Sequence, residues 1–490
     1  MTRRIRRFIF YIFLILFVIL TLVIILYAQG YSFDWQTKSL VVTGAFYFKS
    51  HPKEANIYIN NEYRGETSKF IKRLVPKEYD VKISKPDYYD WEKTLKISSK
   101  LVTEAKNILL VKKNTVKTLT AENVKYFSTS NDQKKIIYLT DKTAKEIDPA
   151  QQKIADPREI PAYSQFSLRL ISLDDNTDIQ IYPSLLAKNG RLIPSLPNLN
   201  TLLDIFWFPN NKKILLSFSN DRYYILDLEN QSKVTDLNNL IKASSNYKIY
   251  SIKNLSFHPQ DSNKLFFLAN NNLFITDLTN DGKLPASIIS DISAYTIYNN
   301  EILYVKYPNF YKRNLEGLSF KKIFDIPFFE PKQTITIVDD NALIINNDLY
   351  LFNSQTQVLE KIAENVKEIN FSKNEKKLLW RTENEIGVIW FEKNSEQPFR
   401  KKYEIEIVMK ALVEINQAIW HLKTNEHIIF VVDNTIKITE LDGRDKKNTV
   451  DIFIDLPTQT GENLRIFYNE KNEKLYVLSK EKLFELKFTE

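Results

Sequence analysis

The chain has four histidines, nine glycines and no cysteine, and those counts bound the chemistry open to it. Without a thiol there is no cysteine nucleophile, disulfide, thiolate zinc site or iron–sulfur cluster. The glycines stand at 30, 44, 65, 190, 282, 317, 387, 443 and 461, never closer than 14 residues. Phosphate-cradling loops and nucleophile elbows need closer glycines, so both are excluded. His51, His258, His421 and His427 would have to converge to make a metal or catalytic centre. Asp174-Asp175-Asn176-Thr177-Asp178 spaces oxygens as a calcium loop begins. Ile179 replaces its glycine and Leu185 its bidentate glutamate, so a hairpin turn between Ser167–Leu173 and Ile179–Tyr182 is expected instead. Asp227 and Asp277 end strands in equivalent places and are expected to brace turns. The expectation is therefore no catalytic residue, no metal and no cofactor. The remaining site candidates are aromatic. Tyr58, Tyr63, Tyr88, Tyr89 and Trp91 could stack on a sugar or peptide, or serve as core and cross-strand packing.

The elements that position these residues follow from composition. The chain has 490 residues, too many for one core, and suggests two or three domains. Its 31 Phe and 26 Tyr recur with Ile, Val, Leu and Thr in short runs, which favours strands. With glycine so scarce, Asn and Asp must carry many turns, because both tolerate left-handed backbone. The net charge is +8, but Arg3, Arg4, Arg6 and Arg7 supply four of the basic residues, leaving 64 basic against 60 acidic. That balance, spread along the chain, excludes a nucleic-acid binder with its clustered basic face.

Phe8 to Ala28 is a run of 21 uncharged residues, 17 of them Leu, Ile, Val or Phe. Together those 17 favour the bilayer by roughly 5–10 kcal/mol. A helix of this length rises ~32 Å, enough to cross a hydrocarbon core of about 30 Å. The run is longer than the apolar core of a cleaved signal peptide. The arginines before it put residues 1–7 in the cytoplasm and the rest outside, with 8–28 as the transmembrane helix and 29–41 as a tether.

From 42 to 113 the pattern alternates, with five short strands at 45–49, 56–60, 79–83, 91–97 and 107–111, as in a small β-sandwich. This stretch resembles the PEGA domain, a small β module of prokaryotic envelope proteins. Pro52-Lys53-Glu54-Ala55 stands for its Pro-Glu-Gly-Ala turn. Gly65-Glu66-Thr67-Ser68, Leu74-Val75-Pro76-Lys77-Glu78-Tyr79-Asp80-Val81 and Lys85-Pro86-Asp87-Tyr88 match its later submotifs, with Glu54, Lys77 and Asp87 where the family has glycine. The resemblance implies an interaction or spacer module and brings no catalytic residue.

Lys112 to Thr120 is polar and reads as a linker, after which 118–490 is expected to fold alone. In that region an apolar strand ending in an aromatic, a polar turn and two further strands recur. Copies start at 205, 255, 297, 335, 369, 419 and 466, at steps of 34 to 50 residues. That period indicates a β-propeller of seven or eight blades, closed by pairing Leu483–Phe488 with Val116–Thr120. Ile205-Phe206-Trp207-Phe208-Pro209-Asn210-Asn211-Lys212-Lys213 and its repeats resemble TolB-like and WD-repeat-like blades. Trp207, Phe257, Phe371 and Trp420 share one place in four repeats and are expected to be buried between blades.

The expected protein is an all-β ectodomain, a PEGA-like sandwich then a propeller, on one N-terminal transmembrane helix. It would be a non-enzymatic, single-pass binding or scaffold protein of the cell membrane, partnered by an envelope protein or cell-wall glycan. The alternative is a glycan hydrolase or lyase using carboxylates in the propeller channel.

Overall fold

In a computed structural model the apolar N-terminal run is one helix, α1 (Arg3–Ala28), with none of its residues buried. Thr21, polar within the run, donates its hydroxyl to the Phe17 carbonyl at 2.8 Å and so presents no unpaired group. It is long and apolar enough to cross a membrane. The structure describes residues 3–35, 37–113, 116–120, 123–141, 166–182, 196–197, 199–229, 234–243, 249, 251–279, 285–326, 334–353, 356–453 and 464–488. Leu185, Gly190, Gly282, Gly461 and the linker residues Asn114 and Thr115 lie outside them.

The expected tether is instead a hairpin. Tyr31–Asp34 pairs antiparallel with Ser39–Val42, and Thr43 closes its base by donating to the Gly30 carbonyl from both backbone and hydroxyl. Seven strands follow where five were expected, in two sheets. One has Lys69–Leu74, Gly44–His51 and Val102–Leu109; the other has Glu62–Glu66, Asn56–Ile59, Glu78–Ser84 and Trp91–Lys96. Alternation along Gly44–His51 and Glu78–Ser84 sends Phe46, Phe48, Tyr79, Val81 and Ile83 into one core between the sheets. The two strands missed, Glu62–Glu66 and Lys69–Leu74, are edge strands with mostly exposed side chains, so they carry little apolar signal. Glu54 and Asp87, at two of the family's glycine positions, take the left-handed φ values of +58° and +67° that glycine would.

Eight further four-stranded antiparallel sheets follow in chain order among the described residues, and we number them as blades 1 to 8. Their innermost strands are Val124–Thr129, Leu202–Trp207, Lys253–Phe257, Ala294–Tyr298, Ile335–Ile337, Glu368–Phe371, Ile415–Trp420 and Arg465–Asn469. Blade 8 is closed by the N-terminal strand Val116–Thr118, which pairs with Lys482–Lys487. This joins the two ends of the ring as expected from the sequence.

What holds the ring is visible in its second strands. His427–Val432 is buried at every position because its two faces serve different neighbours. Ile428, Phe430 and Val432 pack toward blade 6, while Ile429 and Val431 pack toward blade 8. Ile214 and Leu216 likewise face blade 1, and Leu215 faces blade 3. A strand buried on both faces must be a continuous apolar run, which is how these strands read in the sequence. A separate apolar cluster fills each of the eight boundaries between successive blades, the one between 8 and 1 included.

Trp207 and Trp420 are buried in this packing. Phe257 and Phe371 are only half-buried, a departure from the expected equivalence. Phe257 leans on Phe208 with ring centres 4.6 Å apart, and Phe371 lies 5.9 Å from Phe391. Asparagine carries the turns. Asn60-Asn61, Asn270-Asn271, Asn299-Asn300, Asn346-Asn347 and Asp433-Asn434 each hold two successive residues at positive φ between paired strands, the backbone of a tight two-residue hairpin, and Asn220-Asp221 does so within a three-residue loop.

Candidate functional site

The innermost strands of blades 1, 2, 6, 7 and 8 line a polar cavity of about 450 Å³. Its walls include Tyr126 of blade 1, Asp204 of blade 2, Glu368 of blade 6, Gln417 of blade 7 and Arg465 of blade 8. The Arg465 guanidinium lies 4.0 Å from the centre of the Tyr126 ring, and the Tyr126 hydroxyl donates to Asp204. Burial, opposed by Arg465 and reinforced by Asp204, pushes the Tyr126 phenol up to about 12. It is a hydrogen-bond donor at any physiological pH.

The two channel carboxylates are already engaged. Asp204 accepts from Tyr126 and from the Ile205 amide at 2.8 Å. Glu368 accepts from Arg381 Nε at 3.2 Å and from the Asn370 amide group at 3.0 Å. Gln417 bridges blades 7 and 8, giving to the Ile466 carbonyl at 3.1 Å and taking from its amide at 2.8 Å. The cavity wall thus carries one stacked cation, Arg465, beside amide, hydroxyl and carboxylate groups that bond to one another and to the blades. Its residues were not picked out in the sequence, although a signal exists. Asp204, Glu368, Gln417 and Arg465 each precede the repeat aromatic (Trp207, Phe371, Trp420, Tyr468) by three positions.

The aromatic candidates divide. Trp91 and Tyr88 are buried in the sandwich core at 3% and 4% exposure, so neither offers a ring face to a ligand. Tyr63 is exposed, and Tyr58 lies beside it, ring centres 5.8 Å apart and edge-on. Tyr89 is half-buried against the boundary of blades 7 and 8. Alternation explains the split: Trp91 faces inward from its strand, while Tyr58 lies on the opposite face from Ile57 and Ile59.

The Trp91 indole nitrogen instead enters a polar network at a seam between the sandwich and blades 7 and 8. It donates to Glu440 Oε2 at 2.9 Å. Lys93, whose side chain is fully buried, lies 3.0 Å from the other Glu440 oxygen. The same ammonium donates to the carbonyls of Asp442 at 2.6 Å, Arg444 at 2.8 Å and Lys446, so the 442–446 loop wraps it. Arg444 reaches back to the Glu104 carbonyl at 2.8 Å while holding Asp442. Leu109 and Val111 of the sandwich enter the apolar cluster between blades 7 and 8, and Lys112 donates to the Phe488 carbonyl at 2.9 Å. Residues before 118 therefore pack directly on the ring. A polar run reads as a linker in sequence, but its strand partners are more than 300 residues away.

Three histidines gather along this seam, each with a structural partner. His51 bonds Glu473 at 2.7 Å, and Thr424 Oγ1 lies 3.0 Å from Nδ1 of both His421 and His427. His258 stands apart, stacked on Phe266. No cluster of three metal-ligating side chains occurs among the described residues. Asp174–Asp178 forms the hairpin turn expected of it, Asp178 pairing with Arg169 at 3.1 Å and Asp174 with Lys134 at 3.0 Å. Asp227 and Asp277 cap equivalent turns by accepting from the Glu229 and Thr279 amides, both at 2.9 Å.

The buried histidines predict an acid limb. Burial holds His421 well below the ordinary imidazole value and His427 down to about 3. The unfolded chain titrates them near 6.5, so between those values it binds more protons than the folded one. The contribution of His427 is complete above pH 6.5 and is lost as pH falls toward 3, being about 2 kcal/mol less at pH 5 than at pH 7, and that of His421 changes in the same direction. Asp339, raised by burial to about 7, acts in the opposite sense, its contribution being lost as pH rises toward 7. Between pH 7.5 and 5 the wild type should lose more thermal stability than His427→Gln, a comparison in which the opposing Asp339 change cancels. An equal fall in the variant would mean that other groups set the acid limb.

Residues 43–112 match the PEGA domain family. The class of protein is thus a PEGA domain joined to a β-propeller behind an apolar N-terminal helix. No curated protein matches the chain. Among solved structures it is similar to the Cps50 (Swd1) β-propeller domain of Myceliophteria thermophila, at 8% identity over 76% of this chain and 99% of that one, TM-score 0.41. It is also similar to the Dos1 propeller (13% identity, 77% and 98% covered, TM-score 0.43) and to Kluyveromyces lactis Hsv2p (10%, 72% and 89%, 0.34). At these scores the likenesses carry no argument; the ring rests on its own strand pairing.

Proposed function

We propose that this is a membrane-anchored scaffold of the prokaryotic cell envelope, with its N-terminus in the cytoplasm and its propeller held outside to bind protein or glycan at the channel. The observation that carries this reading is the seam. A buried ammonium wrapped by three carbonyls and a carboxylate joins sandwich to ring, so the ring is presented at a set attitude to its anchor. A spacer that only tethered the ring would need no such joint. The channel offers the Arg465 guanidinium as a cationic contact, and its carboxylates serve the blades, which favours binding over hydrolysis.

Two measurements test this. Protease added to intact protoplasts should digest the chain from Gln29 onward; a C-terminal tail protected until lysis would reverse the orientation. Partners co-purified from detergent-solubilised membranes by the wild type should be lost with Arg465→Glu. Equal recovery by both would remove the channel from the binding surface. Release of sugar from purified cell wall would favour the hydrolase.

A further inference from the structure

The hairpin that replaces the expected tether has two unlike faces. Tyr31 pairs opposite Val42 and Phe33 opposite Leu40, so these four side chains share one face. Ser32 opposite Val41 and Asp34 opposite Ser39 make the other, where Thr37 donates to Asp34 at 2.8 Å. Trp35 stands at the tip, edge-on to Phe33 with ring centres 4.9 Å apart. The apolar face is bare: Phe33 is 41%, Leu40 56% and Trp35 83% exposed. A lone two-stranded hairpin is marginal in water, so this one needs a surface to lie on.

Its position supplies that surface. The hairpin begins three residues after α1 ends, and its base is fixed there by the Thr43–Gly30 bonds. The helix end is itself pinned to the sandwich, with the Arg73 guanidinium 3.1 Å from the centre of the Tyr27 ring. Each strand of four residues spans only ~13 Å, so the hairpin cannot leave the neighbourhood of the helix end. Tryptophan and tyrosine favour the depth between headgroups and acyl chains. Lys38 at the tip and Arg73 at the base bring cations suited to lipid phosphates.

We propose that Tyr31–Val42 is a membrane-interface foot, with Phe33, Trp35 and Leu40 seated in the outer phospholipid leaflet, and that it sets the tilt of the sandwich and ring. This rests on reading α1 as a membrane anchor. The sequence provides its own probe. Of six tryptophans, Trp91, Trp207, Trp380, Trp390 and Trp420 are buried, at no more than 5% exposure, and only Trp35 is exposed. The full chain is reconstituted into phosphatidylcholine–phosphatidylglycerol vesicles, and the Trp35 signal is taken as the difference between wild type and Trp35→Phe. Spin label near the glycerol end of the acyl chain should remove most of that signal, and aqueous iodide little of it. Phe33→Asp/Leu40→Asp, which leaves α1 intact, should reverse the two. Flotation with the vesicles tests the anchor separately. A floating protein whose Trp35 answers to iodide and not to lipid overturns the foot and leaves the anchor standing. A floating protein shielded from both quenchers has its hairpin covered by protein, which also overturns the proposal. Failure to float overturns both readings.

Discussion

Lys93→Ala is expected to cost about 3–5 kcal/mol, the usual penalty for removing one partner of a buried ion pair. The Lys93 side chain has no exposure, and Glu440, its carboxylate partner, is 4% exposed. Removing the ammonium leaves the carbonyls of Asp442, Arg444 and Lys446 facing a cavity, and a carboxylate held only by Trp91 and Asn448. Neutralising both sides with Lys93→Met and Glu440→Gln should cost less than the single change, because no charge is left buried alone. Thermal unfolding of the full chain in detergent measures each corner of that cycle. A single variant that melts with the wild type would mean that the seam is open in solution. The same joint predicts that a ring starting at Thr118 will be much less stable than the intact chain. It would expose the surface that Leu109 and Val111 cover and strip Glu440 of both the Lys93 ammonium and the Trp91 indole.

Deleting Leu483–Glu490 should abolish the folded ring. The strand Lys482–Lys487 lies between Lys474–Ser479 and Val116–Thr118, so its loss removes both ladders and detaches the closing strand. Leu483 leaves the cluster between blades 8 and 1, and Leu486 and Phe488 leave the one between 7 and 8. Large apolar side chains removed from a core cost about 2–5 kcal/mol each. Three of them approach the 5–15 kcal/mol that hold a typical domain folded. The effect should be global, since a ring opened at one boundary exposes the apolar faces of blades 7, 8 and 1 together. Hydrogen exchange of the truncated chain gives the clearest readout. Protection retained in blades 2 to 6, with loss confined to blade 8, would show that the blades are stable without closure.

Much of this architecture is legible along the chain, because its causes are local. The apolar run from Phe8 has no alternative to a helix in lipid. The double-sided apolar strands such as Ile428-Ile429-Phe430 announce sheets packed on both faces, and a recurrent aromatic before a polar turn gives the repeat. Paired asparagines mark hairpins because few other residues accept two successive left-handed conformations. The hairpin at Tyr31–Val42 could also have been read, from Phe33 and Leu40 flanking the polar residues between them, but eight paired residues carry little signal.

Tertiary structure decided the rest. Nothing about Trp91 distinguishes a ligand-stacking ring from one whose nitrogen bonds a carboxylate 349 positions away. Lys93 reads as a solvated lysine in an edge-like strand until the 442–446 loop closes around it. Asp204 and Glu368 cannot be told from other strand carboxylates in the sequence; in the fold they line the channel, bonded to Tyr126 and Arg381. For Trp91, Lys93 and Asp204 the partner lies in another blade or domain, and pairing at that range is set by how the ring closes, whereas Glu368 meets Arg381 across the first hairpin of its own blade. Periodicity can specify which face a side chain takes; only the closed ring determines what waits on that face, because burial and hydrogen bonding are properties of the pair.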